Sequence, residues 1–184
     1  MNTPMMRVSE AAAMLAVPFA GEDADVLRVS TDSRTIQPGD LFIALRGERF
    51  DGGRFAAQAL QQGAVGVVLD PAQAPDIFGA LRVDDTRLAL GTLAAAWRRR
   101  FVMPVVAITG SNGKTTVKEM LAAILRVEAG SDAAVLHTEG NLNNDIGLPL
   151  MLLRLRETHQ YAVLEMGMNH RGEIDYLTRL ARPD

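Results

Sequence analysis

Apolar and polar positions follow two different periods along this chain, and the clearest change between them lies in the second half. The run from Val105 to Ile108 is apolar and rich in β-branched residues, which is typical of a buried strand. Between Val117 and Leu125 apolar residues instead recur at spacings of three and four, which predicts a helix. Residues 105–125 are therefore predicted to form a strand, a tight turn and a helix.

Strand and helix patterns also alternate in the rest of the chain. The predicted strands are residues 26–30, 41–45, 64–69, 81–83, 135–138 and 161–166. The other predicted helices are residues 9–15, residues 55–60, one that starts at Asp85 or Thr86 and extends towards Phe101, one through Met151, Leu152 and Leu155, and one with Ile174, Leu177 and Ala181. This alternation favours an α/β fold with parallel sheets that helices cover.

A domain boundary is predicted between Asp84 and Asp85, where short elements give way to longer helices. The sequence thus predicts a small α/β domain in residues 1–84 and a parallel-sheet domain of the phosphate-loop type in residues 85–184. The chain ends on Pro-Asp after a helix pattern, a position where the next strand normally begins. The second sheet is therefore expected to be incomplete, and the chain to be a fragment.

The turn between the central strand and helix reads T-G-S-N-G-K-T-T over residues 109–116. A glycine turn before a helix directs backbone N–H groups at one point, and the helix dipole adds positive charge there. Lys114 brings a mobile full charge, and the Thr115 hydroxyl suits a Mg²⁺ ion that accompanies phosphates. The predicted nucleotide-binding residues are Gly110, Ser111, Asn112, Gly113, Lys114, Thr115 and Thr116.

The turn departs from the strict phosphate-loop pattern, and an ordinary surface turn is the alternative. The strict phosphate-loop pattern has glycine where this chain has Ile108, and the glycine lies at Gly110 instead. An ordinary surface turn would account for the glycines, but not for Lys-Thr-Thr at the start of a helix. The chain is therefore predicted to bind a nucleoside triphosphate.

Ligands of open α/β sheets bind beyond the carboxyl ends of the strands. Three such ends should converge here: Thr109-Gly110, His137-Thr138 and the segment that begins at Glu165. A carboxylate that ends an apolar run is costly unless it is paired or bound to a metal. A strand-end residue that reaches solvent is the alternative. Beside a phosphate loop, Glu165 is predicted to be a Mg²⁺ ligand.

The loop after the His137 strand carries Asn141, Asn143 and Asn144. Asparagine and glycine favour turns whatever the function, but amides at this sheet edge are equally suited to contact a ligand. His170 has no histidine or cysteine partner nearby, so an ordinary loop histidine is favoured over a metal ligand. Spacing indicates no catalytic triad, so chemistry would rest on positioned phosphates and metal.

Composition narrows the setting of this chemistry. A net charge of −3 gives no general reason to expect nucleic acid or an anionic membrane as partner. The chain has no cysteines, which fits a reducing compartment. No window has the apolar length of a membrane span, and the N-terminus does not resemble a signal peptide. A cytoplasmic monomer without membrane insertion is expected.

Three segments together resemble the Mur ligases of peptidoglycan synthesis. They are T-G-S-N-G-K-T-T, G-N-L-N-N-D-I-G-L-P-L and E-M-G-M-N-H-R-G-E-I, in this order. The upstream segment D-S-R-x-I-x-P-G-D-L-F-I-A-L-R-G-E-R-F-D-G resembles the family's N-terminal domain, which holds the uridine nucleotide end of the substrate. The resemblance implies an ATP-dependent ligase that joins D-alanyl-D-alanine to UDP-N-acetylmuramoyl-tripeptide through an acyl phosphate.

The resemblance also implies roles for individual residues. Lys114 and Glu165 would be catalytic, with Lys114 at the β- and γ-phosphates of ATP. Thr115 and Glu165 would hold Mg²⁺. The implied substrate-binding residues are Ser30, Asp32, Ser33 and Arg34 at the uridine nucleotide, and Asn141 and Asn144 beside the phosphates.

Two departures and several alternatives accompany this hypothesis. Family members often have histidine after the Asp-Gly of the first domain, where this chain has Gly53, so no substrate contact is assigned there. Family members are also much longer, so this chain alone is expected to be inactive. The alternatives are a related ligase for another amino acid or for folate, a non-catalytic nucleotide- or UDP-sugar-binding module, and a GTPase or kinase. Ile108 and the upstream domain weaken the last of these.

Overall fold

The chain divides within a helix rather than in a loop. A computed structural model describes residues 3–47, 50–73 and 77–184, so residues 48 and 49 of the upstream segment lie outside the described residues. Two units pack separately, Met1–Leu93 and Ala94–Asp184, and the division falls inside α3, Thr86–Arg98. The boundary between Asp84 and Asp85 stays a prediction.

The strands of the first unit are β1 Met6–Arg7, β2 Asp25–Val26, β3 Arg28–Ser30, β4 Asp40–Ile43, β5 Arg46–Gly47, β6 Phe50–Asp51, β7 Gly66–Leu69 and β8 Leu81–Arg82. A four-stranded sheet has the order β3-β4-β7-β8, and every neighbouring pair in it is parallel. The pairs β1-β2 and β5-β6 are small antiparallel sheets. The first two helices of this unit are α1, Val8–Met14, and α2, Ala56–Gln61. Phe42 and Leu69 pack with the small residues of α2 in its core.

The single strand predicted for residues 26–30 is two strands. β2 pairs with β1, whereas β3 joins the parallel sheet. Leu27 lies between them, and its backbone N–H donates to the carbonyl of Gly39, 2.8 Å away. The sequence pattern indicated one strand, but its two halves pair with different strands.

The second unit is a three-stranded parallel sheet with helices. Its elements are β9 Val105–Ile108, α4 Lys114–Ala129, β10 Val135–His137, α5 Gly147–Leu152, β11 Tyr161–Glu165 and α6 Glu173–Ala181. The strand order is β10-β11-β9, and Glu165 lies opposite Ile108 in the register. The predicted α/β class with parallel sheets is confirmed, and the three strand ends predicted to converge lie at one edge.

The apolar face of α4 differs from the sequence pattern. Ala122 is fully buried against Val135 and Val163, and Leu121 and Leu125 pack beside it. The large apolar residues of α4 that are exposed are Val117, Met120, Ile124 and Val127. Spacings of three and four describe both sides of one helix, so the sequence could not tell which side meets the sheet.

Within the ranges that the structure describes, none of the helices combines the length and the apolar character that a membrane crossing requires.

Candidate active site

The loop between β9 and α4 has the conformation of an anion cradle. Gly110 has a φ of 151° and Gly113 a φ of 76°, and at these angles residues with a side chain are disfavoured. Gly113 is the N-cap of α4, so the first backbone N–H groups of this helix, which have no partner within it, face the loop. A helix of this length adds the positive end of its dipole at the same place.

Lys114 is the first residue of α4 and is half-buried. Its Nζ donates to the carbonyl of Gly110, 2.7 Å away, so the ammonium folds back over the loop. Ser111, Asn112 and Thr116 are exposed around it. The structure therefore places all seven predicted nucleotide-binding residues on one surface, and their contact with a nucleotide stays a prediction.

Thr115 and Glu165 meet across the sheet edge. The Thr115 hydroxyl donates to Oε2 of Glu165 over 2.9 Å, although the two residues are 50 positions apart. Asn143 Nδ2 donates to the other carboxylate oxygen over 2.8 Å. The backbone N–H of Glu165 donates to the hydroxyl of Thr138, also over 2.8 Å. The side chains of Thr115 and Asn143 thus hold the carboxylate of Glu165, and the hydroxyl of Thr138 holds its backbone N–H.

This carboxylate suits a divalent cation. Glu165 is only 3% exposed, and the hydrogen bonds to its carboxylate in the described part of the chain come from the neutral side chains of Thr115 and Asn143. A buried carboxylate without a positive partner is costly, and a cation would remove that cost. Oxygen ligands from a hydroxyl and a carboxylate are those that Mg²⁺ prefers.

The described residues contain no group of three or more histidine, cysteine, aspartate or glutamate side chains that could hold a metal. The assignment of Thr115 and Glu165 as side-chain ligands of Mg²⁺ stays a prediction. Mg²⁺ sites beside nucleotides commonly use one or two protein side chains and take their remaining ligands from phosphates and water. The donor set is consistent with that chemistry.

The three asparagines of the loop after β10 have different surroundings, which the sequence could not distinguish. Asn141 is exposed, whereas the side-chain oxygen of Asn144 accepts from the backbone N–H of Gly147 over 2.8 Å and so starts α5. Asn143 is the residue that reaches Glu165, and its backbone carbonyl accepts from the N–H of Gly167. The sequence pattern named all three amides as possible ligand contacts, and the family resemblance assigned only Asn141 and Asn144 to substrate. That assignment stays a prediction, because three similar amides in one loop carry no signal of direction.

A cavity of about 360 Å³ opens beside these groups. It is lined by Lys114, Asn141, Asn143, Asn144, Glu165, Gly167, Met168 and Asn169. A cation, a carboxylate and amides therefore face one space. Such a space can hold a charged ligand and fix its orientation.

His170 takes no part in this lining. Its backbone N–H donates to the carboxylate of Glu173 at the start of α6, and its side chain is exposed. An ordinary loop histidine thus remains the favoured interpretation.

The four residues assigned to the uridine nucleotide lie together on one turn of the first unit. Ser30 ends β3 and is 7% exposed, and its hydroxyl bonds to the backbone of Asp32. Asp32 caps the 3₁₀ turn Ser33–Thr35 and accepts two hydrogen bonds from the Arg34 guanidinium, at 2.9 and 2.7 Å. The turn is preorganised, and its contact with a ligand stays a prediction.

Gly53 has a structural reason for lacking a side chain. It is buried, and a Cβ atom there would lie 2.3 Å from the Cβ of Gln73. Histidine at this position would require Gln73 to move.

The guanidinium of Arg34 lowers the pKa of Asp32 to about 2, against an ordinary value of 3.8. Because the pKa is lower in the folded state, the stabilisation is present above pH about 4 and is lost as the pH falls towards 2. We expect Arg34→Met to raise the pKa of Asp32 towards its ordinary value, as measured by NMR titration of the carboxyl carbon.

Asp70 provides the control for this titration. Its pKa is lowered chiefly by the backbone N–H of Ala72, so Arg34→Met should leave it unchanged. An unchanged Asp32 pKa in Arg34→Met would show that the guanidinium does not hold this carboxylate.

Two protein families match the chain over separate ranges. The family described as Mur ligase family, catalytic domain, matches residues 26–98. The family described as Mur ligase middle domain matches residues 108–184. These ranges include the turn with Asp32 and the site around Glu165.

Individual relatives match most of this chain but only part of their own length. The UDP-N-acetylmuramoyl-tripeptide–D-alanyl-D-alanine ligase of Haemophilus influenzae is 49% identical over 164 residues, which is 89% of this chain and 36% of that protein. The ligase of the same name from Escherichia coli is 50% identical over 164 residues, which is 89% of this chain and 35% of that protein. The chain thus spans about a third of the length of these relatives.

Solved structures match in the same way. MurF from Acinetobacter baumannii has a TM-score of 0.85 and 42% identity, over 98% of this chain and 40% of that one. MurF ligase from Thermotoga maritima in complex with ADP has a TM-score of 0.75 and 34% identity, over 85% of this chain and 35% of that one.

Proposed function

Because the chain belongs to the Mur ligase family, we propose that it forms the N-terminal part of a UDP-N-acetylmuramoyl-tripeptide–D-alanyl-D-alanine ligase. In this ligase the first unit holds the uridine nucleotide end of the substrate, and the second unit holds ATP. The observation that carries the proposal is the Thr115–Glu165–Asn143 contact beside the Lys114 loop, in a chain about half identical to two ligases of that name. The product is a precursor of peptidoglycan.

The proposed reaction has two steps. A carboxylate oxygen of the tripeptide attacks the γ-phosphorus of ATP, which forms an acyl phosphate and releases ADP. The amine of D-alanyl-D-alanine then attacks the acyl carbon, which forms the peptide bond and releases phosphate and a proton. Atoms and charges balance, and no redox cofactor is needed.

The chain's own residues contribute position and charge. The backbone N–H groups of the loop from Gly110 to Gly113 would face the phosphates of ATP. The Lys114 ammonium, now bonded to the Gly110 carbonyl, would hold the β- and γ-phosphate oxygens. Thr115 and Glu165 would supply a hydroxyl and a carboxylate to Mg²⁺. The bound ion would neutralise part of the phosphate charge that opposes attack by a carboxylate.

Substrate recognition follows the same division. Asn141 and Asn144 lie at the cavity beside the phosphates, where the reacting carboxylate would arrive. The turn of Ser30, Asp32, Ser33 and Arg34 is proposed to meet the uridine nucleotide. We also propose that the ligase is a monomer and that it acts in the cytoplasm, where nucleotide-linked precursors and ATP are available.

Phosphate release by the full-length ligase that contains this sequence tests the proposal. We expect release only when UDP-N-acetylmuramoyl-tripeptide, D-alanyl-D-alanine and Mg²⁺-ATP are all present. Equal release without either substrate would sink it. Release with a different amine acceptor would instead assign a related ligase, and nucleotide binding without any turnover would favour a binding module.

A further inference from the structure

Lys118 is a buried charged residue that the proposed reaction does not use. It lies one helical turn after Lys114 on α4 and is 1% exposed, although its neighbours Val117 and Glu119 are exposed. Its Nζ donates to the backbone carbonyl of Thr138 over 2.6 Å. A carboxylate oxygen of Glu119, 2.8 Å from the same Nζ, balances the charge. Burial of an ammonium is costly, so its placement calls for a function or a tight structural role.

Thr138 connects this ammonium to the metal-binding side of the site. It is fully buried just after β10, and its backbone N–H donates to the carbonyl of Val163 in β11. Its hydroxyl accepts from the backbone N–H of Glu165 over 2.8 Å. Lys118 therefore holds the carbonyl of the residue whose hydroxyl holds Glu165.

The connection closes into a ring through α4. The helix carries Lys118 and Thr115, and the Thr115 hydroxyl donates to the carboxylate of Glu165. Lys118 thus fixes α4 to the carboxyl edge of the sheet at the height where Thr115 must face Glu165. Displacement of Lys118 would loosen both ends of the Thr115–Glu165 pair.

We propose that Lys118 is a positioning residue for the divalent cation that accompanies the nucleotide. It acts through Thr138 on Glu165 and touches neither nucleotide nor metal. The inference rests on the proposed function only in that the site binds Mg²⁺ with a nucleotide. Loss of a purely structural lysine would weaken folding and all nucleotide binding alike. Loss of a positioning lysine would lower only the part of the nucleotide affinity that depends on Mg²⁺.

The test measures ADP binding to the full-length ligase by calorimetry, once with Mg²⁺ and once with EDTA. In Lys118→Met we expect the gain in ADP affinity that Mg²⁺ provides to fall about tenfold or more, as is usual when a partner that orients a metal ligand is removed. ADP affinity in EDTA should stay at the wild-type value, because the Gly110–Gly113 loop is intact.

Three further variants decide between the interpretations. Thr138→Val removes the hydroxyl that accepts from Glu165 while it conserves shape, and should reproduce the loss, whereas Thr138→Ser should retain the wild-type gain. Arg126→Met removes another cation from α4, one that contacts His137, and should leave the gain unchanged. If Lys118→Met does not fold, the two Thr138 variants decide.

Equal losses of ADP affinity with Mg²⁺ and with EDTA, or an unchanged gain in Lys118→Met and Thr138→Val, would overturn the inference. The measurement needs neither the muramoyl substrate nor D-alanyl-D-alanine. If Lys118→Met loses the gain in ADP affinity and the wild-type protein has no ligase activity, the positioning role is supported and the proposed reaction is refuted. If the wild-type protein is an active ligase and the variants keep the gain, the reaction is supported and the role is refuted.

Discussion

Replacement of Lys114 with methionine is expected to lower phosphate release by the full-length ligase by about 10³-fold, the loss seen when one preorganised donor to a developing charge is removed. The ammonium already lies over the loop, 2.7 Å from the Gly110 carbonyl, and is the full positive charge that the loop places there. Methionine keeps the length and the helix propensity of the side chain but not the charge. The measurement is the initial rate of phosphate release at saturating ATP.

Two comparisons give this result its meaning. Arg126→Met removes a cation from the same helix, outside the site, and should keep the wild-type rate. Lys114→Arg retains the charge but spreads it over a planar group, and we expect it to stay close to the methionine variant because the tight loop suits a compact ammonium. A Lys114→Met enzyme within a few-fold of the wild-type rate would show that the loop does not hold the transferred phosphoryl group.

The elements of this site could be predicted from the sequence because their signals are local. The β-branched run before Thr109, the glycines of the loop and the period of α4 all come from one continuous stretch, and the observed strand, turn and helix follow it. The parallel arrangement followed from the alternation of strands and helices. Glu165 was selected as a candidate because a charge that ends an apolar run is unusual in itself.

The remaining features depend on which distant residues meet. Lysine is a residue type that usually lies on the surface, so the sequence gives no sign that Lys118 is buried. Only the packing of α4 against β10 shows it. Asn143 and Asn144 are adjacent in one loop, yet one reaches Glu165 and the other starts α5. Tertiary contacts decide these differences, and a single sequence does not state them.

Two carboxylates show how environment separates chemical roles within this chain. Asp32 is partly exposed and paired with the Arg34 guanidinium, so its charge is already compensated and its pKa is lowered to about 2. Glu165 is buried and meets the neutral donors of Thr115 and Asn143. A bound cation would therefore stabilise the carboxylate of Glu165 more than that of Asp32.

Replacement of Glu165 with glutamine is accordingly expected to lower phosphate release by about 100-fold or more, since a bound metal supplies several kcal/mol of transition-state stabilisation. Glutamine conserves the shape and can still accept a hydrogen bond from Thr115, so the packing of β11 should persist. The variant should also need a higher Mg²⁺ concentration for half-maximal activity. The measurement is the rate of phosphate release over a Mg²⁺ titration at saturating ATP.

Glu128→Gln is the matched control, because this glutamate is exposed on α4, outside the site, and loses the same charge. It should keep both the wild-type rate and the wild-type Mg²⁺ dependence. Thermal unfolding of the two variants separates a change in chemistry from a loss of structure: we expect Glu165→Gln to stay folded, because a neutral amide is less costly to bury than an uncompensated carboxylate. If Glu165→Gln were slow but had an unchanged Mg²⁺ dependence, Glu165 would act on the substrate rather than on the metal. The Thr115–Glu165 contact would then mark a substrate site.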